Sequence, residues 1–310
     1  MSAVRPGISK HKPNFGIRVG ADTGGEGAVI VAHITDSHVV AQGHRYYDIV
    51  DTNALLARAI VHLNALDPRP DVVVATGDLV SKGTDEEYGE LREILSDLTI
   101  PIYVIPGNHD DREALRRAFA DHAYLPHDGD FLHYVIEEYP LRLIALDTVV
   151  SGSGAGALCH AQLAWLEQRL AEATNRPTIV LMHHPPFPTG IAHMDAISCT
   201  GADGLATIIA RFSNVERILC GHVHRAIQVR WAGTVACSAP STAHQVALNL
   251  RLDDPPGEFT LEPPACLLHV WLDGVVLVSH MSYIGEFEGP YPFLKQRTNR
   301  FETGRKDQAQ

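Results

Sequence analysis

The chain has 310 residues, 45% of them apolar and 20% charged, which is enough for one large α/β core and excludes a wholly disordered chain. Lysine plus arginine is 25 against 37 aspartates and glutamates, a formal charge of -12, so a basic face for long nucleic acids is not expected and an anionic ligand has to be drawn by local positive charge such as bound metal. No apolar run reaches the roughly 18 residues of a membrane span, the N-terminus lacks the apolar core of a signal peptide, and the five widely spaced cysteines Cys159, Cys199, Cys220, Cys237 and Cys266 suggest reduced thiols in a cytoplasmic protein.

Residues 1–27 are rich in Gly, Pro and charge without apolar period and read as a loosely held lead-in. A catalytic domain is expected over residues 28–283. AVIVAHITD predicts a strand from Ala28, and the apolar spacing from Ile49 to Leu66 predicts a helix. The unit recurs: DVVVATGD as strand, Asp85 to Leu98 as helix, IPIYVIPGNHD as strand, Asp111 to His122 as helix. HYVIEE and LRLIALDT follow as strands, Leu163 to Ala173 as helix, PTIVLMHH as strand, Asp203 to Phe212 as helix and VERILCGH as strand. Alternating β and α implies largely parallel inner sheets. From Ala226 the short apolar runs AIQVRWA, TVACSA, ACLLHVWL and VVLVSHMSY suggest a meander finishing a second sheet, and the whole reads as a four-layer α/β/β/α sandwich of two mixed sheets. The segment 284–310 is expected to be a small C-terminal cap that packs on or over the site, followed by a polar tail.

Metal-type side chains stand at the C-terminal ends of five predicted strands: Asp36 and His38, Asp78, Asn108 and His109, His183 and His184, His222 and His224. That edge of an open α/β sheet is where ligands bind. Taken singly, each has a plainer explanation. A D-x-H pair is common, an Asp after Gly77 is more often a cap or turn residue, and Asn108 with Asp110 can simply cap a turn and start a helix. MHHPP and CGHVH are harder to assign to packing, and convergence of all five on equivalent topological places favours a metal site.

The ordered set D-x-H, G-D, G-N-H-D, H-H-P and G-H-x-H resembles the calcineurin-like metallophosphoesterases, and it spans Asp36 to His224. RYYDIVDTNA, MHHPPFPTGIAHMD, CGHVHRA, PSTAHQV, PPACLLH and GPYPF are similar to the bacterial glycerophosphodiesterase and class III cyclic-nucleotide phosphodiesterase branch. The resemblance implies a first metal on Asp36, His38 and His224, a second on Asn108, His183 and His222, and Asp78 bridging them. His183 is preferred to His184 because the family's ligand lies two residues before the proline, here Pro185. It also implies a dimer or higher homo-oligomer.

Oxygen and nitrogen donors without thiolate suit Fe, Zn, Mn or Co. Two such divalent ions, about 3.5 to 4 Å apart, would support in-line displacement by a metal-held hydroxide on a small phosphodiester. His109 is expected to touch the phosphoryl oxygen or protonate the leaving alkoxide. His193 and His244 either line the pocket or serve structure, and Arg45 either meets a second anionic group or is plain surface. Asp147 is expected to hydrogen-bond structurally and His184 to support the ligands from behind. Other readings are a phosphomonoesterase on the same site, a scaffold that has lost catalysis, which the complete ligand set disfavours, and a protein phosphatase or nuclease, which expects a longer, often basic groove that the acidic chain does not advertise. Glycerophosphodiesters and 3',5'-cyclic nucleotides are not separable by these motifs.

Overall fold

The computed structural model describes residues 28–251, 256–272 and 276–293, so the expected lead-in and the polar end of the tail lie outside the described residues. The chain begins with alternating strands and helices: β1 (Val29–Ile34), α1 (Thr52–Ala65), β2 (Val72–Thr76), α2 (Asp85–Leu95), β3 (Ile102–Ile105) and α3 (Arg112–Ala118). There follow β4 (Tyr134–Ile136), β5 (Arg142–Leu146), β6 (Gly156–Ala157), α4 (His160–Ala171), β7 (Thr178–Met182), α5 (Ala192–Asp195), β8 (Cys199–Thr200), α6 (Ala202–Ile209) and β9 (Val215–Cys220). Then come β10 (Ile227–Trp231), β11 (Thr234–Ser238), β12 (Gln245–Val246), β13 (Phe259–Thr260), β14 (Ala265–Leu272) and β15 (Val276–Tyr283).

Caps trim the helices relative to their apolar period. Asp51 accepts from the Ala54 amide and starts α1 three residues after Ile49, and Asp111 does the same for α3 through Ala114. Thr84 and Glu87 form a capping box at α2.

Two mixed sheets carry the fold, as expected. The first has the order β15-β14-β1-β2-β3 and the second β10-β11-β9-β7-β5-β4. Their inner strands are parallel: β1 with β2 with β3, and β5 with β7 with β9 with β11. The expected meander is corrected in one respect. β10 and β11 do extend the second sheet, but ACLLHVWL and VVLVSHMSY return to the first, where β14 pairs antiparallel with β1 and β15 closes the edge. A hydrophobic run carries no record of which sheet it joins; here Val29 opposite Trp271 and Ala32 opposite Leu268 fix the register.

Period-two alternation in the second sheet explains the layers. Leu143, Ala145, Ile179, Leu181 and Leu219 belong to the core shared with the first sheet, whereas Ile144, Leu146, Val180, Met182 and Ile218 face the core shared with α4 and α6. The tail's Ile284 is buried in the first core, while Tyr291 and Phe293 are exposed. Leu143→Ala, at a fully buried position between the sheets, is expected to lower stability by about 2 to 5 kcal/mol. Exposed Val61→Ala should stay within about 0.5 kcal/mol. Urea unfolding of both variants checks the assignment, and equal losses would contradict it.

Candidate metal centre

Five strand ends of the two sheets meet at one place. Asp36 and His38 follow β1, Asp78 follows β2, Asn108 and His109 follow β3, His183 follows β7, and His222 and His224 follow β9. Main-chain bonds lace the loops together: Asp36 N donates to Gly77 O (3.0 Å), His38 N to Asp78 O (2.9 Å) and Gly221 N to His183 O (3.0 Å). Asp36, His38, Asp78, His222 and His224 all have left-handed backbones, φ 45 to 70°, and Asp and His are among the types that tolerate it. Such strain concentrates where function over-determines the backbone.

The side chains form two groups. Asp36, His38, Asp78 and His224 converge in one, with His38 Nε2 3.1 Å from His224 Nε2 and His224 Nε2 3.3 Å from Asp36 Oδ1. In the other, Asn108 Oδ1 lies 3.1 Å from His183 Nε2 and 3.0 Å from His222 Nδ1. Asp78 stands between them, Oδ2 3.7 Å from His38 Nε2 and Oδ1 3.4 Å from His183 Nε2.

Tautomers decide what these atoms can do. The carbonyl of Thr76 faces His183 Nδ1 at 2.7 Å, that of His244 faces His224 Nδ1 at 2.9 Å, and that of Ile197 faces His222 Nε2 at 3.2 Å. A carbonyl only accepts, so each of those nitrogens carries the proton and each neutral ring turns a lone pair inward. Lone pairs of His183 and His222 then oppose the Asn108 oxygen, which is repulsive unless a cation or proton lies between. The donor set therefore fits divalent metal. Burial by itself would lower the His183 pKa, but the Asp78 carboxylate raises it to about 9, whereas burial and the neighbouring His183 push His222 down to about 3 and leave its lone pair opposed to the Asn108 oxygen. Burial likewise works against ionised Asp36, yet His224 holds it at about 2.

His184 packs beside His183 and His222, close enough to group with them as a possible ligand, but Nδ1 lies 2.8 Å from Thr148 Oγ1 and Nε2 3.2 Å from Gly154 O, so both its nitrogens already have protein partners. Asp147, buried, accepts from both Arg112 nitrogens and from the Leu132 and Val149 amides, the structural role expected of it. Asp110, read from sequence as no more than a helix start, is a clamp. It accepts from Gly107 N (2.8 Å), Leu79 N (3.1 Å), Val80 N (3.3 Å) and Tyr88 Oη (2.9 Å), joining the loops that carry Asn108 and Asp78. Its neighbour Asp111 caps α3, so the two aspartates of GNHDD were indistinguishable by residue type.

A cavity of about 400 Å³ opens over the cluster, and His109, His193 and His244 line it. His109 donates from its backbone to Asp78 Oδ1 and from Nδ1 to Ser81 O, both 2.8 Å, which leaves Nε2 without a hydrogen-bond partner among the described residues. Arg45 lines not this cavity but an adjoining one of about 600 Å³ that shares Tyr46, Tyr47 and His109 with it, and it faces Ile49 O (3.4 Å) and Asp51 (4.0 Å). Tyr46, Tyr47 and Phe259, which sequence reading did not single out, form an aromatic wall.

The calcineurin-like phosphoesterase family pattern matches residues 30–226. The chain belongs to this family. A probable glycerophosphodiester phosphodiesterase GpdQ of Arcobacter nitrofigilis is 40% identical over 87% of this chain and 98% of its own. The 3',5'-cyclic adenosine monophosphate phosphodiesterase CpdA of Escherichia coli K12 is 34% identical over 77% and 86%. Among solved structures, purple acid phosphatase PPD1 of yellow lupin seeds superposes with a TM-score of 0.63 at 14% identity, covering 84% of this chain and 52% of that one, a likeness of fold. Calcineurin-like phosphoesterases use divalent metal, and the buried Asp and His groups are where this member can hold it.

In this phosphoesterase the cluster is packed to the backbone. A Cβ at Gly107 would sit 2.3 Å from both Asp78 N and Asp78 Oδ1, whereas one at Gly89 would meet nothing within 4 Å. Gly107→Ala is expected to weaken Mn²⁺ binding at least tenfold by calorimetric titration. Gly89→Ala should leave it unchanged and stabilise α2 by up to about 1 kcal/mol; equal metal affinity in the two variants would contradict this account.

Proposed function

We propose that this phosphoesterase hydrolyses small phosphodiesters, glycerophosphodiesters or 3',5'-cyclic nucleotides, with Asp36, His38 and His224 holding one divalent cation, Asn108, His183 and His222 a second, and Asp78 bridging. The observation that carries the reading is the inward convergence of lone pairs whose tautomers are fixed from behind by the Thr76, Ile197 and His244 carbonyls. Asp78 supports the bridging role by turning one oxygen to each group. The engagement of both His184 nitrogens supports His183 as the ligand. The named relatives support the diester class.

When bound, the cations, Fe, Zn, Mn or Co by donor type, supply charge neutralisation at the phosphate and acidify water. The chain's own part is to orient and to move a proton. His109 keeps its Nδ1 proton on Ser81 O, so as an imidazolium it offers Nε2–H toward the cavity, the position from which a departing alkoxide can be protonated.

Steady-state hydrolysis of glycerophosphocholine, 3',5'-cyclic AMP and bis(p-nitrophenyl) phosphate by metal-loaded protein tests the reading. Turnover should vanish on chelation and fall at least about 10²-fold in Asn108→Ala; activity indifferent to both would sink it. His109→Ala should lower kcat by about 10² to 10⁴ with alkyl leaving groups. The loss should be far smaller with p-nitrophenolate, which leaves unprotonated, and equal losses would instead assign His109 to phosphoryl contact.

A further inference from the structure

The cavity over the cluster has one wall of two stacked ring pairs: Tyr46 on His244, centroids 5.0 Å apart at 28°, and Tyr47 on Phe259, 5.5 Å at 15°. The pairs meet edge to face, Tyr46 with Tyr47 at 4.4 Å and His244 with Phe259 at 5.2 Å. Tyr46 and His244 are buried against His38, but Tyr47 is 63% exposed, so the outer pair leaves ring surface at the mouth. Tyr47 and Asp48 have left-handed backbones, φ 51° and 58°, in a turn closed by Val50 N to Tyr46 O (2.9 Å), and Tyr47 is thereby presented outward.

The fixed side-chain charge that Glu258 adds to that cavity is negative. Exposed Glu258, next to Phe259, lines the same cavity, and among the described lining residues there is no lysine or arginine. Arg45 contacts Ile49 O and Asp51, and Arg225 contacts Val246 O and Glu262; Arg45 and Lys82 line the adjoining cavity together with the acids Asp48, Glu86 and Glu87. An anionic substituent would be repelled by Glu258, and a neutral polyol, though it can stack on the rings, gains nothing from that charge. A cation gains from both the rings and the carboxylate.

We infer that Tyr47, Phe259 and Glu258 form a subsite for an ammonium-bearing substituent of the phosphodiester. The inference rests on the phosphodiesterase reading and narrows its substrate class. These residues act on selection; the reacting phosphate belongs to the cluster and His109.

The test compares metal-loaded wild type, Tyr47→Leu and Glu258→Gln on glycerophosphocholine, on its uncharged 3,3-dimethylbutyl isostere, on 3',5'-cyclic AMP and on bis(p-nitrophenyl) phosphate. Wild type is expected to favour the choline ester over the isostere about tenfold in kcat/KM, chiefly through KM, and each variant should cut that ratio at least threefold. A wild-type ratio near one, or a ratio unmoved in both variants while the esters are still turned over, overturns the subsite and leaves the phosphodiesterase reading standing. Preference for 3',5'-cyclic AMP that Tyr47→Leu lowers and Glu258→Gln does not would give the rings to a nucleobase and overturn the ammonium assignment. No metal-dependent turnover of any of the four compounds overturns both readings.

Discussion

The structure is organised around a repulsion. Two buried carboxylates, an amide oxygen and the lone pairs of several imidazoles are pointed at one another in a place from which water is largely excluded. Unpaired polar atoms there are costly, by roughly 1 to 3 kcal/mol each for neutral groups and more for charges. Such a set persists only if each member is held from behind. The carbonyls of Thr76, Ile197 and His244 hold three imidazoles, Thr35 Oγ1 and the His222 amide hold Asp36, and Asp110 ties the loops of Asp78 and Asn108 together. The left-handed backbones at five of the cluster residues, each costing on the order of 1 kcal/mol or more, are stable for the same reason: cross-links on both sides leave them no alternative.

The sandwich is what makes that convergence possible. Parallel strands deliver all their C-terminal ends to one edge, and two parallel-cored sheets packed face to face deliver two such edges to the same rim. β1, β2 and β3 bring acids, an amide and His38, while β7 and β9 bring the remaining imidazoles. The alternation along β5, β7 and β9 commits every second side chain to the joint core, so a slip of one residue in β7 or β9 would exchange the two faces and misplace the histidines that follow it. Core register and site geometry are thus a single constraint.

How much of this was legible in the sequence follows from the range of the interactions involved. The strand-end motifs were readable because a buried strand and its polar terminus are contiguous, as in TIVLMHH or RILCGHVH. The return of ACLLHVWL to the first sheet was not, since pairing with β1 bridges more than two hundred residues and either sheet would bury the same side chains. Asp110 and Asp111 are one residue apart with the same side chain, and only the three-dimensional position of the Leu79, Val80 and Gly107 amides separates clamp from cap. Tyr47 and Phe259 meet across as long a gap, and nothing in either local sequence announces the other.

Charge ties the acidic composition to the site. A chain of formal charge -12 repels a phosphodiester at long range, so attraction has to be generated locally. With the cluster's imidazoles neutral, its fixed charge is that of Asp36 and Asp78, together -2. One divalent ion would only cancel this and leave the rim neutral. Two would bring +4 against -2, a local excess of +2 inside a low-dielectric cleft where it acts strongly and over a short distance. A field that draws the phosphate inward would repel a cationic substituent from the cluster, so the aromatic wall at the mouth and Glu258 are where such a substituent would rest.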